Sequence, residues 1–134
     1  MKGRVLSAGE AWGQALVLRE PLSLWGGLDP ASGELIDAHH PQRGVSLAGR
    51  VVVMPSARGS SSSASVLAEA VRSGHAPAAL LLAEADLILA IGAAVAAELY
   101  GHELPILVLA HSDLAQIPEG AHVVVGRDGS LAVV

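Results

Sequence analysis

Cysteine and phenylalanine are absent from the sequence of 134 residues, and its aromatic residues are two Trp and one Tyr. Without cysteine, the chain forms no disulfide bond and holds no zinc ion or iron–sulfur cluster through thiolates of its own. The few aromatic rings and the net charge of −5 argue against nucleic acid as a partner, because nucleic-acid binding needs basic surface and often stacking platforms. The core must therefore be built from Ala, Val, Leu and Ile.

No stretch of the sequence is typical of a membrane span, although residues 76–97 are strongly apolar. Glu84 and Asp86 lie near the middle of that stretch, where a single Asp costs about 2.5–3.5 kcal/mol of insertion free energy. The first ten residues are too polar for a signal peptide, which needs a continuous apolar region. We therefore expect a soluble, cytoplasmic protein with neither membrane nor nucleic acid among its partners.

The mean hydropathy of +0.50 is high for a soluble chain. Two explanations are open: a partner covers part of an apolar surface, or the core is simply rich in alanine. The length fits one domain, and no linker or internal repeat divides the chain. We therefore expect a single domain over residues 1–134.

The predicted elements change character halfway along the chain. In the first half, a turn is expected at residues 28–37, and short apolar runs broken by Gly and Pro predict strands at 4–8, 13–18, 22–25 and 51–54. In the second half, helical spacing predicts one helix that follows a serine run and ends before Gly74. A second helix is predicted at 86–100, before Gly101, with strands at 78–83 and 106–110 and a hairpin at 122–134. The fold class is therefore mixed α/β, with a β-rich first half followed by β-α-β-α-β and a partly parallel sheet.

A run of hydroxyl groups marks the junction between the strand at 51–54 and the helix after it. The stretch "PSARGSSSSASVL" places four consecutive serines and Ser65 where that helix begins. The first N–H groups of a helix lack backbone partners and carry positive potential, so this junction can bind an anion. Gly59 lets a ligand approach the backbone closely, and Arg58 can pair with a carboxylate or phosphate. Three residues offer both hydroxyl and N–H groups: Ser60, Ser61 and Ser62.

The serine run is open to more than one interpretation. One serine can cap the helix while the others fill the loop, although capping needs a single hydroxyl. A phosphate-binding P-loop is excluded because its lysine and spacing are missing, and a G-x-S-x-G nucleophile elbow because no closing glycine follows. An independent Ser-His-Asp hydrolase stays possible in principle, but nothing in the sequence pairs a serine with a histidine and an aspartate.

Longer stretches of the sequence resemble a known family. The segment "RGSSSSASVLAEAVRSGHAPAALLL", followed by "ADLILAIGAAVAAELYGHELPILVL", resembles the swivel domain of aconitase-type hydro-lyases, in which a G-S-S loop opens a helix. The segment "GGLDPASGELIDAHHPQRGVSLAGRVVVMPSARGSSSSASVLAEA" is similar to the small subunit of the aconitase X family. The resemblance covers nearly the whole chain and implies the swivelling β/β/α domain of the aconitase type.

The resemblance also implies a function. Aconitase X proteins are dehydratases with a large catalytic part, which holds an iron–sulfur cluster or iron, and a small swivel part. Their known activities are the dehydration of cis-3-hydroxy-L-proline and of mevalonate 5-phosphate. In aconitases the first serine of the G-S-S loop is the base that takes a proton from the substrate, and this position corresponds to Ser60. The second serine corresponds to Ser61; the arginine that then binds a substrate carboxylate is replaced by Ser62, and Arg58 is the local candidate to take its role.

The six histidines show no H-x-H or H-x-x-x-H spacing, so no metal site is predicted in this chain. His40, in the block "HPQRG", has two interpretations. It either lines the substrate cleft or positions Ser60, or it is a structural histidine of a turn. Trp12 and Trp25 are expected in the core or at an interface rather than at a cofactor.

Taken with the resemblance, these features predict the small subunit of a dehydratase that acts on a small hydroxy acid only together with its large subunit. We expect no cofactor on this chain alone, and the iron–sulfur cluster or iron on the large subunit. The favoured substrate is cis-3-hydroxy-L-proline, because a phosphate site recruits several basic groups and the only ones near the serine run are Arg58, Arg43 and Arg50. The alternatives are a mevalonate 5-phosphate dehydratase small subunit and a domain that binds a carboxylate or phosphate without chemistry.

Overall fold

The structure of the chain, a computed structural model, describes residues 1–57 and 59–134. The strands are β1 (Arg4–Ser7), β2 (Ala11–Val17), β3 (Val51–Met54), β4 (Ala79–Leu82), β5 (Ile106–Val108), β6 (His122–Val125) and β7 (Leu131–Val133). The helices are α1 (Leu24–Gly27), α2 (Ser63–Ser73), α3 (Leu87–Tyr100) and α4 (His111–Leu114). Within the described residues, the strands form one sheet in the order β1-β5-β4-β3-β2-β6-β7.

The centre of the sheet is parallel, as the alternating second half of the sequence predicts. The pairs β2–β3, β3–β4 and β4–β5 are parallel, and α2 and α3 connect β3 to β4 and β4 to β5. Strands β3 and β4 are buried along their whole length, in agreement with their uninterrupted apolar sequences. The hairpin predicted at 122–134 is confirmed as the antiparallel pair β6–β7.

Each face of the sheet carries its own apolar core. Residues of alternating direction on β3 and β4, such as Val52 and Leu80, pack with the buried faces of α2 and α3. Their neighbours, such as Val53 and Leu81, pack on the other face with β6, β7 and the residues around α4. Helices α2 and α3 therefore lie side by side on one face of the sheet.

The ends of α2 and α3 agree with the sequence prediction. The carboxylate of Asp86 caps α3 by accepting the N–H of Leu89 at 3.0 Å. Gly74 and Gly101 end the two helices in the left-handed conformation, with φ of 81° and 64°. Glycine adopts this conformation without the steric penalty that a side chain would bring.

The strand predicted at residues 22–25 is wrong. Leu22 makes only an isolated parallel bridge with Ala57, and the chain then enters the short α1. Inside α1, Trp25 (φ −69°, ψ 115°) and Gly26 (φ 77°, ψ −9°) have the dihedral angles of a type II turn rather than of a helix. Glycine at the second central position of such a turn supplies the positive φ, so the Trp-Gly pair dictates a turn where the apolar run predicts a strand.

The turn predicted at residues 28–37 is confirmed. The carboxylate of Asp29 accepts the N–H of Ala31 at 2.9 Å and the hydroxyl of Ser32 at 3.0 Å. Gly33 has a φ of 80°, and a Cβ atom there would lie 2.7 Å from the carbonyl oxygen of His75. The turn is therefore fixed both by its own side chains and by close packing on the end of α2.

Side chains complete the hydrogen bonding at the end of β2. Glu119 accepts the N–H of Val17 at 2.8 Å, and its other carboxylate oxygen accepts from Arg50 at 3.0 Å. The side-chain amide of Gln42 donates to the Val17 carbonyl at 3.0 Å and accepts the N–H of Arg19 at 2.8 Å. These contacts attach two distant loops to the chain where it leaves the sheet.

The segment before β1 is joined to β7, so the two outermost strands of the sheet approach each other. Lys2 forms an antiparallel bridge with Ser130, and Gly3 donates its N–H to the Gly129 carbonyl at 2.9 Å. The sheet is thereby curled toward a barrel. None of the helices in the described ranges is both long and apolar enough to cross a membrane.

Candidate functional site

The carboxyl ends of the parallel strands meet at one edge of the sheet, the position at which open α/β sheets hold their ligands. We call residues 55–62 the serine loop, and its described residues, 55–57 and 59–62, follow β3 at this edge. The chain that leaves β2 runs beside the loop, because Leu22 pairs with Ala57. His111, which follows β5, shares a shallow pocket with Pro55 at the start of the loop. The topology therefore gathers three separate segments around the serine run.

Ser60 occupies the point where the serine loop enters α2. Its Oγ accepts the N–H of Ser62 at 3.3 Å, and its carbonyl accepts the N–H of Ser63 at 3.0 Å. These bonds form a turn just ahead of Ser62, the N-cap residue of α2, whose own side chain makes no capping hydrogen bond, and Ser60 is half-buried. An N–H group aimed at a hydroxyl oxygen also stabilises negative charge on that oxygen. The hydrogen bond from the Ser62 N–H to the Ser60 Oγ and the predicted role of Ser60 as a base are therefore compatible.

Two other serines of the run have structural partners. Ser63 is buried, and its Oγ accepts the backbone N–H of Trp25 at 3.3 Å. The Ser65 hydroxyl donates to the carbonyl of Ser62 at 2.8 Å. Much of the hydroxyl content of this junction is thus explained by the fold, which the sequence could not reveal because Trp25 is 38 residues away from Ser63.

The remaining residues predicted for the site differ in their accessibility. Ser61 is exposed and Ser62 is half-buried at the start of α2. Gly59 is exposed, and a Cβ atom at this position would find no heavy atom of residues 1–57 or 59–134 within 4 Å. Arg58 lies outside the described residues. The structure thus brings Gly59, Ser61 and Ser62 next to Ser60, while their roles in substrate binding stay predictions.

The electrostatics of the loop favour an anion. The first turn of α2 carries no acidic side chain, so the positive end of the helix dipole is not cancelled locally. The basic side chain Arg72 lies in the last turn, where it complements the opposite end of the dipole. A hydroxyl group at the beginning of α2 is therefore in a better environment to lose a proton than a serine in water.

A groove of about 400 Å³ runs from the serine loop between α2 and α3. On the α2 side it is lined by Ser61, Ser65 and Glu69, and on the α3 side by Val95 and Tyr100. The hydrogen bond from Arg72 to Glu69 lowers the pKa of the Glu69 carboxyl and raises that of Arg72. The groove is therefore mostly apolar and hydroxyl-lined, with an ion pair at its far end.

The ring nitrogens of His40 bond to backbone groups outside the serine loop. The residue is buried, and its Nδ1 accepts the N–H of Gln42 at 3.1 Å. The Nε2 atom therefore carries the proton and donates to the carbonyl of Glu20 at 3.0 Å. With both nitrogens bonded to backbone groups, the geometry favours a structural role for His40, and its role toward substrate or Ser60 stays a prediction.

Neither tryptophan belongs to the core. Trp25 is 60 % exposed and Trp12 is 72 % exposed. Of the two predicted positions, core or interface, only an interface remains for them. The backbone N–H of Trp25 donates to Ser63, so the turn that carries Trp25 lies next to the first residue of α2. Sequence reasoning missed Trp25 as a site residue; the signal was a large aromatic residue before two glycines. Trp12 lies at the opposite edge of the sheet, near Ala78 and His102.

Among residues 1–57 and 59–134, no group of three or more His, Asp or Glu side chains is arranged to hold a metal ion. The chain also contains no cysteine. Its own residues therefore do not fit a protein-bound iron–sulfur cluster.

Comparison with protein families identifies one match, the aconitase X swivel domain, over residues 1–133. A cis-3-hydroxy-L-proline dehydratase of Pseudomonas aeruginosa is 50 % identical over 117 residues, which cover 86 % of this chain and 20 % of that protein. The chain thus spans about a fifth of the length of this relative.

Separate small subunits are also similar to the chain. A phosphomevalonate dehydratase small subunit of Thermococcus onnurineus is 40 % identical over 96 residues, which cover 72 % of this chain and 74 % of that subunit. The crystal structure of Thermococcus kodakaraensis aconitase X in its holo-form superposes with a TM-score of 0.88 at 32 % identity. That superposition covers 99 % of this chain and 96 % of the other.

Proposed function

The chain belongs to the aconitase X swivel domain family, and from this we propose that it is the small subunit of a dehydratase that removes water from cis-3-hydroxy-L-proline. The observation that carries the proposal is the serine loop, whose Ser60 stands at the start of α2 at the carboxyl edge of the sheet. The 50 % identity to a named cis-3-hydroxy-L-proline dehydratase supports the choice of substrate.

The proposed enzyme has two parts. The chain spans about a fifth of the Pseudomonas relative, so the complete activity needs the catalytic part that makes up the rest of that protein. We assign this part to a separate large subunit, in line with the name of the small subunits in Thermococcus and Methanosarcina. The isolated chain is then expected to be inactive.

The proposed role of Ser60 is proton transfer. Loss of water across C2 and C3 of the substrate removes the proton from the carbon beside the carboxylate and the hydroxyl from its neighbour. Ser60, as an alkoxide, takes the C2 proton, and the electron pair of the C–H bond forms the double bond as hydroxide leaves C3. The proton on Ser60 then passes to the hydroxide, which completes the water molecule and restores the alkoxide. The N–H of Ser62 and the helix dipole stabilise the charge on Oγ between turnovers.

An iron–sulfur cluster or iron belongs to the large subunit in this proposal, because the residues of this chain do not fit one. When bound there, it supplies the Lewis acidity that helps a hydroxyl group to leave. The small subunit contributes the base and the positively polarised loop.

The arginines near the loop support a carboxylate substrate over a phosphorylated one. A phosphate site recruits several basic groups. The guanidinium of Arg50 is already bonded to the Ala15 carbonyl at 2.8 Å and to Glu119 at 3.0 Å. Arg50 is thus committed to the fold, which leaves Arg58 and Arg43 as the nearby basic residues in the sequence.

Reconstitution with the large subunit of the same organism tests the proposal. The pair should dehydrate cis-3-hydroxy-L-proline, whereas the small subunit alone should not. Turnover of mevalonate 5-phosphate without turnover of hydroxyproline would show that the proposed substrate is wrong and that the chain is still part of a dehydratase. Absence of both activities in a stable pair would leave a binding domain without chemistry.

The role of Ser60 is tested by variants that separate chemistry from the local hydrogen bond between Ser60 and Ser62. Ser60→Ala should lower kcat at least about a hundredfold, the scale of a lost general base. Ser60→Asn is the matched control, because asparagine keeps a side-chain oxygen that can accept the N–H of Ser62 but offers no hydroxyl. Both variants should be equally inactive although Ser60→Asn stays as stable as the wild type. If Ser60→Ala is active and Ser61→Ala or Ser62→Ala is inactive, the base is that other serine and not Ser60.

A further inference from the structure

Helix α3 exposes a continuous apolar face. Four side chains at intervals of four residues are between 40 % and 69 % exposed, and we call them the α3 stripe: Leu87, Ile91, Val95 and Leu99. The opposite face of α3 packs against α2 and the sheet through Leu89, Gly92, Ala93 and Ala96. A helix that is apolar on all sides is normally buried on all sides. The α3 stripe therefore lacks a covering surface in the isolated chain.

The α3 stripe is connected to the serine loop. Helices α2 and α3 both begin at the carboxyl edge of the sheet, so Leu87 at the first position of α3 lies at the same edge as Ser60. Farther along, Val95 lines the groove that contains Ser61 and Ser65. A body that receives the serine loop therefore lies at the same edge of the sheet as Leu87 and next to the groove that Val95 lines.

The charges around the stripe argue against a second copy of this chain as the covering surface. Glu98 is the only charged residue of α3, and Glu84 and Asp86 precede its first turn. Two copies joined through this face would bring acidic rims together, in a chain that already carries a net charge of −5. The surface fits an apolar patch with a basic rim on a different protein.

We propose that the α3 stripe is the surface on which the large catalytic subunit of the dehydratase docks. The inference rests on the proposed function, since that function requires Ser60 to enter the catalytic part of the enzyme. The relative from Pseudomonas indicates the size of the catalytic part. Four fifths of that protein lie outside the region that this chain matches, which is enough to cover the whole α3 stripe. Docking through the stripe fixes α3 and, through its packing on α2, the position of the serine loop.

Single charged substitutions test the docking surface. Ile91→Lys and Leu99→Lys place an ammonium group in the stripe, while Val124→Lys is the matched control on the exposed face of β6. Because all three positions are exposed, the melting temperature of each isolated variant should stay near that of the wild type. Affinity for the large subunit of the same organism is then measured by calorimetry, and the oligomeric state of each chain alone by sedimentation.

The expected result is a loss of affinity of about tenfold or more in Ile91→Lys and Leu99→Lys, with Val124→Lys unchanged. Wild-type affinity in both stripe variants would overturn the docking surface while leaving the proposed function intact. A wild-type chain that forms dimers, which Ile91→Lys dissolves, would assign the stripe to a second copy and overturn the proposal. Failure of the wild-type chain to bind the large subunit would overturn the proposed function itself, and the docking surface with it.

Discussion

Gly92 of α3 lies so close to α2 that a Cβ atom at this position would stand 2.8 Å from the carbonyl oxygen of Ala64. Ala64 follows directly after the run of four serines. The contact is between backbones, which cannot rotate away as a side chain can. The spacing of the two helices, and with it the position of the first turn of α2, therefore depends on the missing side chain of Gly92.

We predict that Gly92→Ala lowers both stability and activity. The added methyl group has to push α3 away from α2, and overpacking of this kind costs about 1–3 kcal/mol. The better helix propensity of alanine recovers about 1 kcal/mol of that at most. Chemical denaturation measures the free energy of unfolding, and kcat of the reconstituted enzyme reports the displacement of Ser60. A variant more stable than the wild type would mean that α3 moves freely on α2.

Gly59→Ala should separate stability from function. Among the residues that the structure describes, the new methyl group meets no heavy atom within 4 Å, and Gly59 is not one of the glycines with positive φ. The free energy of unfolding should therefore change by less than about 0.5 kcal/mol. Activity of the reconstituted enzyme should fall, because the methyl group occupies space that substrate or the large subunit approaches.

A contrasting variant, Gly13→Ala, provides the control for that experiment. Its Cβ would lie 2.6 Å from the carbonyl oxygen of Gly49, at a distance from the serine loop. It should destabilise the chain without a specific effect on turnover by the folded fraction. Full activity in Gly59→Ala would show that nothing approaches the backbone there.

The two exposed tryptophans offer a matched pair. Trp25→Ala should lower kcat/KM of the reconstituted enzyme about tenfold or more, because the turn that carries Trp25 is bonded to Ser63, directly after the serine loop, and large exposed aromatics are typical of interface hot spots. Trp12→Ala, at the amino edge of the sheet, should leave kcat/KM unchanged. In a Trp12→Phe background, Trp25 is the only tryptophan of the chain, so its fluorescence should shift when the large subunit binds. Equal activity of both alanine variants would contradict a role of Trp25 in the site.

His40 variants distinguish a structural histidine from a substrate ligand. His40→Ala removes an acceptor for Gln42 and a donor to Glu20 in a buried place, so stability should fall by about 1–3 kcal/mol. His40→Asn can keep the acceptor and His40→Gln the donor, and each should restore part of that loss. The measurement is thermal unfolding beside steady-state kinetics. A raised KM with unchanged stability would instead favour the cleft role.

The second half of the fold could be predicted because its signals are local. Capping residues, glycine stops and apolar runs of fixed period mark α2, α3 and the strands between them within a few residues. The segment at 22–25 could not be predicted by the same means. Its apolar composition is that of a strand, yet the dihedral angles at Trp25 and Gly26 make a turn, which only the neighbouring structure reveals.

In the candidate site, too, the features set by local sequence could be predicted and those set by distant contacts could not. The position of the serine loop at the beginning of a helix is local, so the sequence sufficed to place Ser60 there. The partners of Ser63 and His40 lie tens of residues away along the chain and depend on how the loops fold back. The exposure of the α3 stripe could not be predicted either, because the sequence of an apolar helix does not show whether its outer face is buried or exposed.

The bridge between Lys2 and Ser130 bears on how readily the isolated chain aggregates. A sheet with free outer strands is a template for intermolecular β-pairing and aggregation, and a mean hydropathy of +0.50 would add to that hazard. Here the segment before β1 and the strand β7 exchange backbone hydrogen bonds, including the N–H of Leu131 to the carbonyl of Met1 at 2.9 Å. Much of the sheet boundary is thus closed upon itself. The exposed apolar surface of the chain includes the α3 stripe, and association through that stripe would bury side chains without extending the sheet.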